Sequence, residues 1–343
     1  MQSKPTILLI YTGGTIGMVK DFESGVLKAF NFKKLLQRIP ELKQLDCNIE
    51  TVSFKTPIDS SNMDPSKWAQ MASIIEEHYE DFDGFVILHG SDTMSYSASA
   101  LSFMLEGLNK PVVFTGSQLP IGDLRTDAKE NLITAIQIAS LRHKTHAEVR
   151  EVCLYFEYKL YRGNRTTKIS AEHFNAFTSP NYPPLAESGV HLKLNKEFLF
   201  KADDNQPLKV NYNLDDNVVI IKMFPGINEK VLHSVLNTPG LKGVVLETYG
   251  SGNAPTEDWF ISILKKAISR GLYIINVTQC SGGSVNMGHY ETSTQLKEIG
   301  VISGADITTE AAITKLMYLL GKNVPALDFK ILFETPVCGE LSQ

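Results

Sequence analysis

The chain has no excess of positive charge, no paired cysteines and no apolar run long enough to span a bilayer. Each lack removes a class of function. With a formal charge of −5, there is no basic field to hold nucleic acid or an anionic membrane surface, and a small substrate is the better expectation. Cys47, Cys153, Cys280 and Cys338 are scattered with no CxxC spacing, which suits reduced thiols rather than a disulfide frame or a zinc site. The N-terminus carries Lys4 and a short apolar run that ends in glycine, with no small-residue cleavage site after it, so a cytoplasmic location is expected. The dinucleotide fingerprint GxGxxG is missing as well. Counted from Gly13, its later glycines fall on Thr15 and Met18; counted from Gly14, on Ile16 and Val19. No GxxxxGK[ST], GxSxG or HExxH occurs, and the eight histidines are dispersed, which makes each a surface or satisfied core residue rather than a metal ligand.

What is present is an ordinary globular composition, 43% hydrophobic and 21% charged over 343 residues, a length that suits one large and one smaller domain. Thr6 to Tyr11 (TILLIY) is a short apolar run of the kind expected of a strand buried on both faces. It enters Thr12-Gly13-Gly14-Thr15, where missing Cβ groups let the backbone bend or approach a ligand closely. Thr15 is thereby a candidate nucleophile, although such a turn on its own is more often a structural βα connection. After a polar excursion over 20–28 and a helix expected near 32–38, the rhythm repeats. A strand over 47–55 ends in Asp59-Ser60-Ser61-Asn62-Met63 before a helix from Asp64-Pro65 to Tyr79. Phe85–Leu88 runs into His89-Gly90-Ser91-Asp92-Thr93-Met94 before a helix over 96–105. Lys110–Thr115 runs into Gly116-Ser117-Gln118-Leu119-Pro120 before a helix over 126–141. Strand, polar loop and helix in succession predict an α/β fold, a mainly parallel sheet flanked by helices, with the polar loops converging on one sheet edge. A further strand over 152–158 is followed by LYRGNRTTK at 160–168, which reads as a basic loop. A polar linker over 196–215 separates an N-terminal catalytic domain (1–195) from a smaller C-terminal α/β domain (216–343), where strands over 218–223, 243–247 and 272–277 and helices over 256–269 and 308–320 are expected.

The chemistry left is hydroxyl, carboxylate and ammonium. A threonine hydroxyl needs a neighbouring base, and a serine–lysine–aspartate cluster can supply one. Taken singly, however, Ser91 and Asp92 read as N-cap groups of the next helix, and Lys168 reads as a solvated loop charge.

TGGTIG at 12–17 together with HGSDTM at 89–94 resembles the bacterial-type L-asparaginase family, in particular its cytoplasmic, type I branch. DSSNM at 59–63, TGSQLP at 115–120, LYRGNRTTK at 160–168, YGSGNAP at 249–255 and QCSGGSVNMGHY at 279–290 extend the resemblance over nearly the whole chain. It implies two α/β domains and hydrolysis of L-asparagine to L-aspartate and ammonia without metal or cofactor, with some glutaminase activity, and neither a nucleic-acid nor a membrane partner. Thr15 would form an acyl-enzyme. Lys168 would act through the Ser91 hydroxyl as base, while Asp92 would hold the lysine and the substrate ammonium. Backbone N–H groups near Gly14 and Ser91 would hold substrate or oxyanion. Asp59, Ser60, Ser61 and Ser117 would line the substrate site, and Asn253 would come from a neighbouring subunit of a homodimer or homotetramer.

Two departures stand out. Ser91 occupies a position usually held by threonine, which keeps the hydroxyl but loses the β-branch that stiffens it. The tyrosine many members carry after the first motif is missing from Glu23-Ser24-Gly25-Val26-Leu27, and Tyr290 is the substitute suggested by relatives that present one from the C-terminal domain. Glu247 also stands where some cytoplasmic members place an arginine for a regulatory asparagine, so activation by asparagine is expected to be weak or absent. Two further readings remain open on the same scaffold: an amidotransferase subunit, disfavoured by the early first strand and the acidic charge, and a noncatalytic amino-acid-binding regulator.

Overall fold

The computed structural model describes residues 4–20, 27–29, 39–144, 146–288 and 291–342. The helix expected near 32–38, most of the segment around Gly25 and Tyr290 lie outside them. The chain divides into two compact units, Met1–Tyr212 and Asn213–Gln343.

An unbroken apolar run such as Ile7–Tyr11 must be covered on both faces, and Thr6–Gly13 (β1) is buried from Ile7 onward. It lies between Asn48–Ile58 (β2) and Gly84–Leu88 (β3), parallel to both. Val112–Thr115 (β4) and Val152–Phe156 (β5) continue the parallel order. Lys159–Arg162 (β6), Ala186–Ser188 (β7) and Leu192–Leu194 (β8) then add antiparallel strands, giving an eight-stranded sheet ordered β8-β7-β6-β5-β4-β3-β1-β2. β3 to β5 contain no exposed residue; each of their Val, Leu, Ile or Phe side chains contributes about 1.5–3 kcal/mol by leaving water.

The connecting helices are Pro65–Glu77 (α1), Met94–Met104 (α2) and Ala128–Ser140 (α3). Asp64 caps α1 by accepting from the Ser66 and Lys67 N–H groups, with Pro65 at the first position. α2 turns Ser95, Ser97, Ala98, Ser99 and Ala100 inward. Such small side chains let it press on the turn at 163–165, where a Cβ on Gly163 would stand 3.0 Å from the Ala98 methyl.

The stretch read as a basic loop is not one. Its first half is strand β6 and a tight turn, and Arg162 and Arg165 are buried. Arg162 Nε donates to Glu151 Oε2 at 2.6 Å, its guanidinium covers the Tyr182 ring at 4.4 Å, and it donates to the Phe198 carbonyl at 2.9 Å. Glu151 in turn accepts the Phe200 N–H at 2.6 Å. A buried charge is tolerable when paired and hydrogen-bonded on this scale, and here the pair fastens the start of the polar stretch beyond residue 196 to β5 and β6. Further along, Lys209–Val210 pairs with Leu105–Glu106, and Asn109 donates to the Asp203 and Gln206 carbonyls.

The second unit is a four-stranded parallel sheet of Val218–Lys222 (β9), Gly243–Thr248 (β10), Tyr273–Thr278 (β11) and Ile302–Ser303 (β12), in that order. Its helices include Glu229–Leu236 (α4), Asp258–Ser269 (α5), Thr309–Gly321 (α6) and Ala326–Glu334 (α7). Among the described residues, no helix is long and apolar enough to cross a membrane.

Candidate active site

The parallel strands β1, β2, β3 and β4 all end at one edge, and Thr15, Asp59, Ser60, Ser61, Ser91, Asp92 and Ser117 lie on the turns that follow them. Two of these loops touch through glycine. Gly14 has φ +85°, and a Cβ there would fall 2.6 Å from the Gly90 nitrogen. A Cβ on Gly90 would fall 2.5 Å from Ser60 Oγ. The backbone beside Thr15, the backbone beside Ser91 and the Asp59–Ser61 turn are therefore stacked against one another, and only residues without side chains allow that spacing.

Most hydroxyls at this edge bond to carbonyls. Thr12 donates to Leu88 O at 2.9 Å, Thr93 to Ser60 O at 2.8 Å, Thr115 to Tyr155 O at 2.9 Å and Ser117 to Leu119 O at 2.6 Å. The hydroxyls of Thr15 and Ser91 differ. That of Thr15, partly exposed on its own short turn, takes no hydrogen-bond partner among the described residues. That of Ser91 accepts from Lys168 Nζ at 2.9 Å and donates to Gln118 Oε1 at 3.2 Å.

Ser91 and Asp92 are not helix caps. They form a separate turn, Ser91–Thr93, before α2 begins at Met94, and no side chain caps that helix. Their side chains are thus free to meet Lys168, which bonds Asp92 Oδ1 at 2.7 Å. Nor is Lys168 a solvated loop charge. It sits on a two-residue strand, Thr167–Lys168, paired with Phe177–Thr178, and its side chain is 16% exposed against 63% for Asp92. Asp59 accepts the Ser61 N–H and hydroxyl, both at 2.9 Å, and these bonds hold its carboxyl below the usual carboxylate range.

Two residues were not singled out from the sequence. Gln118 is the member of its loop that reaches Ser91, whereas the Ser117 hydroxyl is taken up within the loop. Gln118 is itself anchored, its N–H donating to Asp127 and its side-chain amide to His173 O at 3.1 Å. Its position beside Ser117 at a strand end was the available signal. The second is His89, buried directly before Gly90. Asn253 lies in the other unit, on the turn after β10, where Tyr249 and Asn253 bridge. Among the described residues, no group of three or more His, Cys, Asp or Glu side chains is set to hold a metal ion.

Comparison with known proteins matches this arrangement to one family along its length. The family model "Asparaginase, N-terminal" covers residues 6–199, and "Glutaminase/Asparaginase C-terminal domain" covers 217–333. The chain is 42% identical to L-asparaginase 1 of Escherichia coli K12, with 99% of each chain covered. It is 40% identical to the 60 kDa lysophospholipase of Mus musculus, of which it spans 63%. Among solved structures it is similar to L-asparaginase I of Vibrio cholerae, with 40% identity, a TM-score of 0.90, and 99% of this chain and 100% of that one covered. Both units, and the loops that carry the Ser91–Asp92–Lys168 cluster, thus fall within a single match, and the chain belongs to the asparaginase family.

Proposed function

We propose that the protein hydrolyses the side-chain amide of L-asparagine to L-aspartate and ammonia through an ester on Thr15, with slower turnover of glutamine. The observation that carries this reading is the Lys168 amine shared between Ser91 Oγ and Asp92 Oδ1, on a loop whose Gly90 packs against Gly14, the residue before Thr15. The names of the E. coli and V. cholerae relatives support the substrate.

In the proposed reaction Thr15 Oγ attacks the amide carbon, and backbone N–H groups near Gly14 and Ser91 hold the developing oxyanion. The threonine proton passes by way of Ser91 toward Lys168, and a proton returned to the amide nitrogen lets ammonia depart. Water then attacks the ester, the same relay accepts its proton, and a proton passes back to Thr15 Oγ as the ester C–O bond breaks. Asp92 keeps Lys168 aimed at Ser91 and takes the substrate α-ammonium, while Asp59, Ser60 and Ser61 hold the amino-acid end. Tyr290 serves as a second proton carrier, and Tyr290→Phe is expected to slow ester formation. Asn253 acts in the site of a neighbouring copy, which makes the working form a dimer or a dimer of dimers. Cys47, Cys153, Cys280 and Cys338 are free thiols, which suits the reducing cytoplasm.

A coupled ammonia assay on wild type and Thr15→Ala tests the reading. Asparagine-dependent release lost in the variant supports it. Tight amino-acid binding without release from the wild type would make the protein a noncatalytic binder.

A further inference from the structure

His89 is 1% exposed, and its ring lies edge-on to Phe114 with centroids 5.7 Å apart. Each ring nitrogen has one partner. Nδ1 is 2.7 Å from the Gly90 carbonyl, and Nε2 is 2.8 Å from Ser97 Oγ. Trp68 Nε1 lies 2.9 Å from the same Ser97 oxygen. A carbonyl cannot donate, so the ring must donate from Nδ1. An indole nitrogen can only donate, so Ser97 accepts from Trp68 and turns its own proton to Nε2. Donation therefore runs in one direction, from Trp68 on α1 through Ser97 on α2 and the His89 ring to the Gly90 peptide. That carbonyl belongs to the peptide whose N–H is the N–H of Ser91.

We infer that His89 is a positioning residue, a neutral Nδ1–H imidazole that fixes the Gly90–Ser91 peptide and so aims the Ser91 hydroxyl and N–H at the reacting amide. The inference rests on the hydrolase reading above. Gly14 and Ser60 press on the preceding peptide nitrogen and on the Gly90 Cα position, and neither contact is to the Gly90–Ser91 carbonyl. Bonding at that carbonyl sets the rotation of the peptide, because the carbonyl and N–H of one peptide are coplanar. Burial pulls the imidazole down to about 4, so the ring stays neutral at ordinary pH. A cation there would need two acceptors, and Ser97, already accepting from Trp68, could then no longer donate to Nε2.

The test separates the two ring nitrogens. An asparagine amide nitrogen reaches the position of Nδ1, whereas a glutamine amide reaches that of Nε2. His89→Asn is expected to keep kcat within about threefold, and His89→Gln to lose on the order of 10²-fold in kcat with KM changed far less, the cost of an ångström-scale misplacement. Equal losses in both, or no loss in either, would overturn the inference. Nitrogen NMR on ¹⁵N-histidine-labelled wild type, assigned by the peak missing in His89→Asn, is expected to show Nδ1 protonated and Nε2 bare between about pH 5 and 8. A protonated Nε2 in that range overturns the relay whatever the two variants do to kcat. Absence of ammonia release from the wild type sinks the hydrolase reading alone, leaving the relay to stand or fall on the tautomer.

Discussion

Each unit holds a lysine bonded to a carboxylate, and the two pairs are built for different ends. Lys168 bonds Asp92 and the Ser91 hydroxyl, and Asp92 is largely open to solvent. Lys315 on α6 is fully buried with Glu340. It donates to the Phe333 and Thr335 carbonyls, each at 2.7 Å, as well as to Glu340, which also accepts the Val337 and Cys338 N–H groups. Burial pulls Lys315 down from the usual lysine range, against the attraction of Glu340. All three of its protons point at acceptors that take no part in any reaction, so this pair ties the C-terminal tail to α6. In the first unit one acceptor is a hydroxyl that can pass its own proton on. On the proposed reading, the difference between a structural and a reactive lysine lies in that hydroxyl rather than in the ion pair.

The edges of the two parallel sheets differ in the same way. In the second unit Thr248 donates to Asn276 Oδ1 at 2.6 Å, Asn276 donates to Gly252 O, and Thr278 donates to Gly250 O at 2.6 Å, so these groups shape the turn that bears Asn253. Glu247 accepts from the Thr309 hydroxyl at 2.6 Å, with Lys222 at 3.6 Å.

Exchanging the lysines for methionine gives the largest contrast. Lys168→Met is expected to lower kcat by about 10²–10⁴-fold with an unchanged urea midpoint. Lys315→Met is expected to leave kcat per folded molecule unchanged and to cost about 3–5 kcal/mol, because it strands the Glu340 carboxylate. Ammonia release and urea melts on both variants check the pair, and swapped outcomes break the comparison. A smaller effect comes from His89. The unfolded ring takes a proton near 6.5 and the folded ring only near 4, so the unfolded state binds more protons between those values. Stability therefore falls as pH drops from 6.5 to about 4 and then levels off, by roughly 3 kcal/mol from this group. Urea melts across that range on wild type and His89→Asn should show the step in the first and a flatter curve in the second. The smallest expected effect concerns Glu247. With its carboxylate taken up by Thr309 and Lys222, the rate should rise hyperbolically with asparagine, and a sigmoidal curve would contradict that.

The strands were legible because burial on both faces writes an unbroken apolar string, as in Phe85–Leu88. Charge misled. Arg162 and Arg165 look like surface residues until Glu151 and Tyr182 are placed around them, and those partners come from elsewhere in the chain. Ser91 and Asp92 looked like caps because residue types do not show that a separate turn, Ser91–Thr93, precedes α2. α7 was not anticipated, since Leu327 and Ile331 face outward while Phe329 and Phe333 face inward, leaving no clear stripe. The meeting of Lys168 with Ser91, 77 residues apart, was implied only by family resemblance; no local periodicity encodes it.

Rapid-quench mass spectrometry of the Thr15 peptide during asparagine turnover is the most direct test of the role assigned to the Lys168 cluster. An aspartyl ester is expected on Thr15 in the wild type within one turnover, and its appearance should be strongly slowed in folded Lys168→Met. Ester formation at the wild-type rate in that variant would contradict the account.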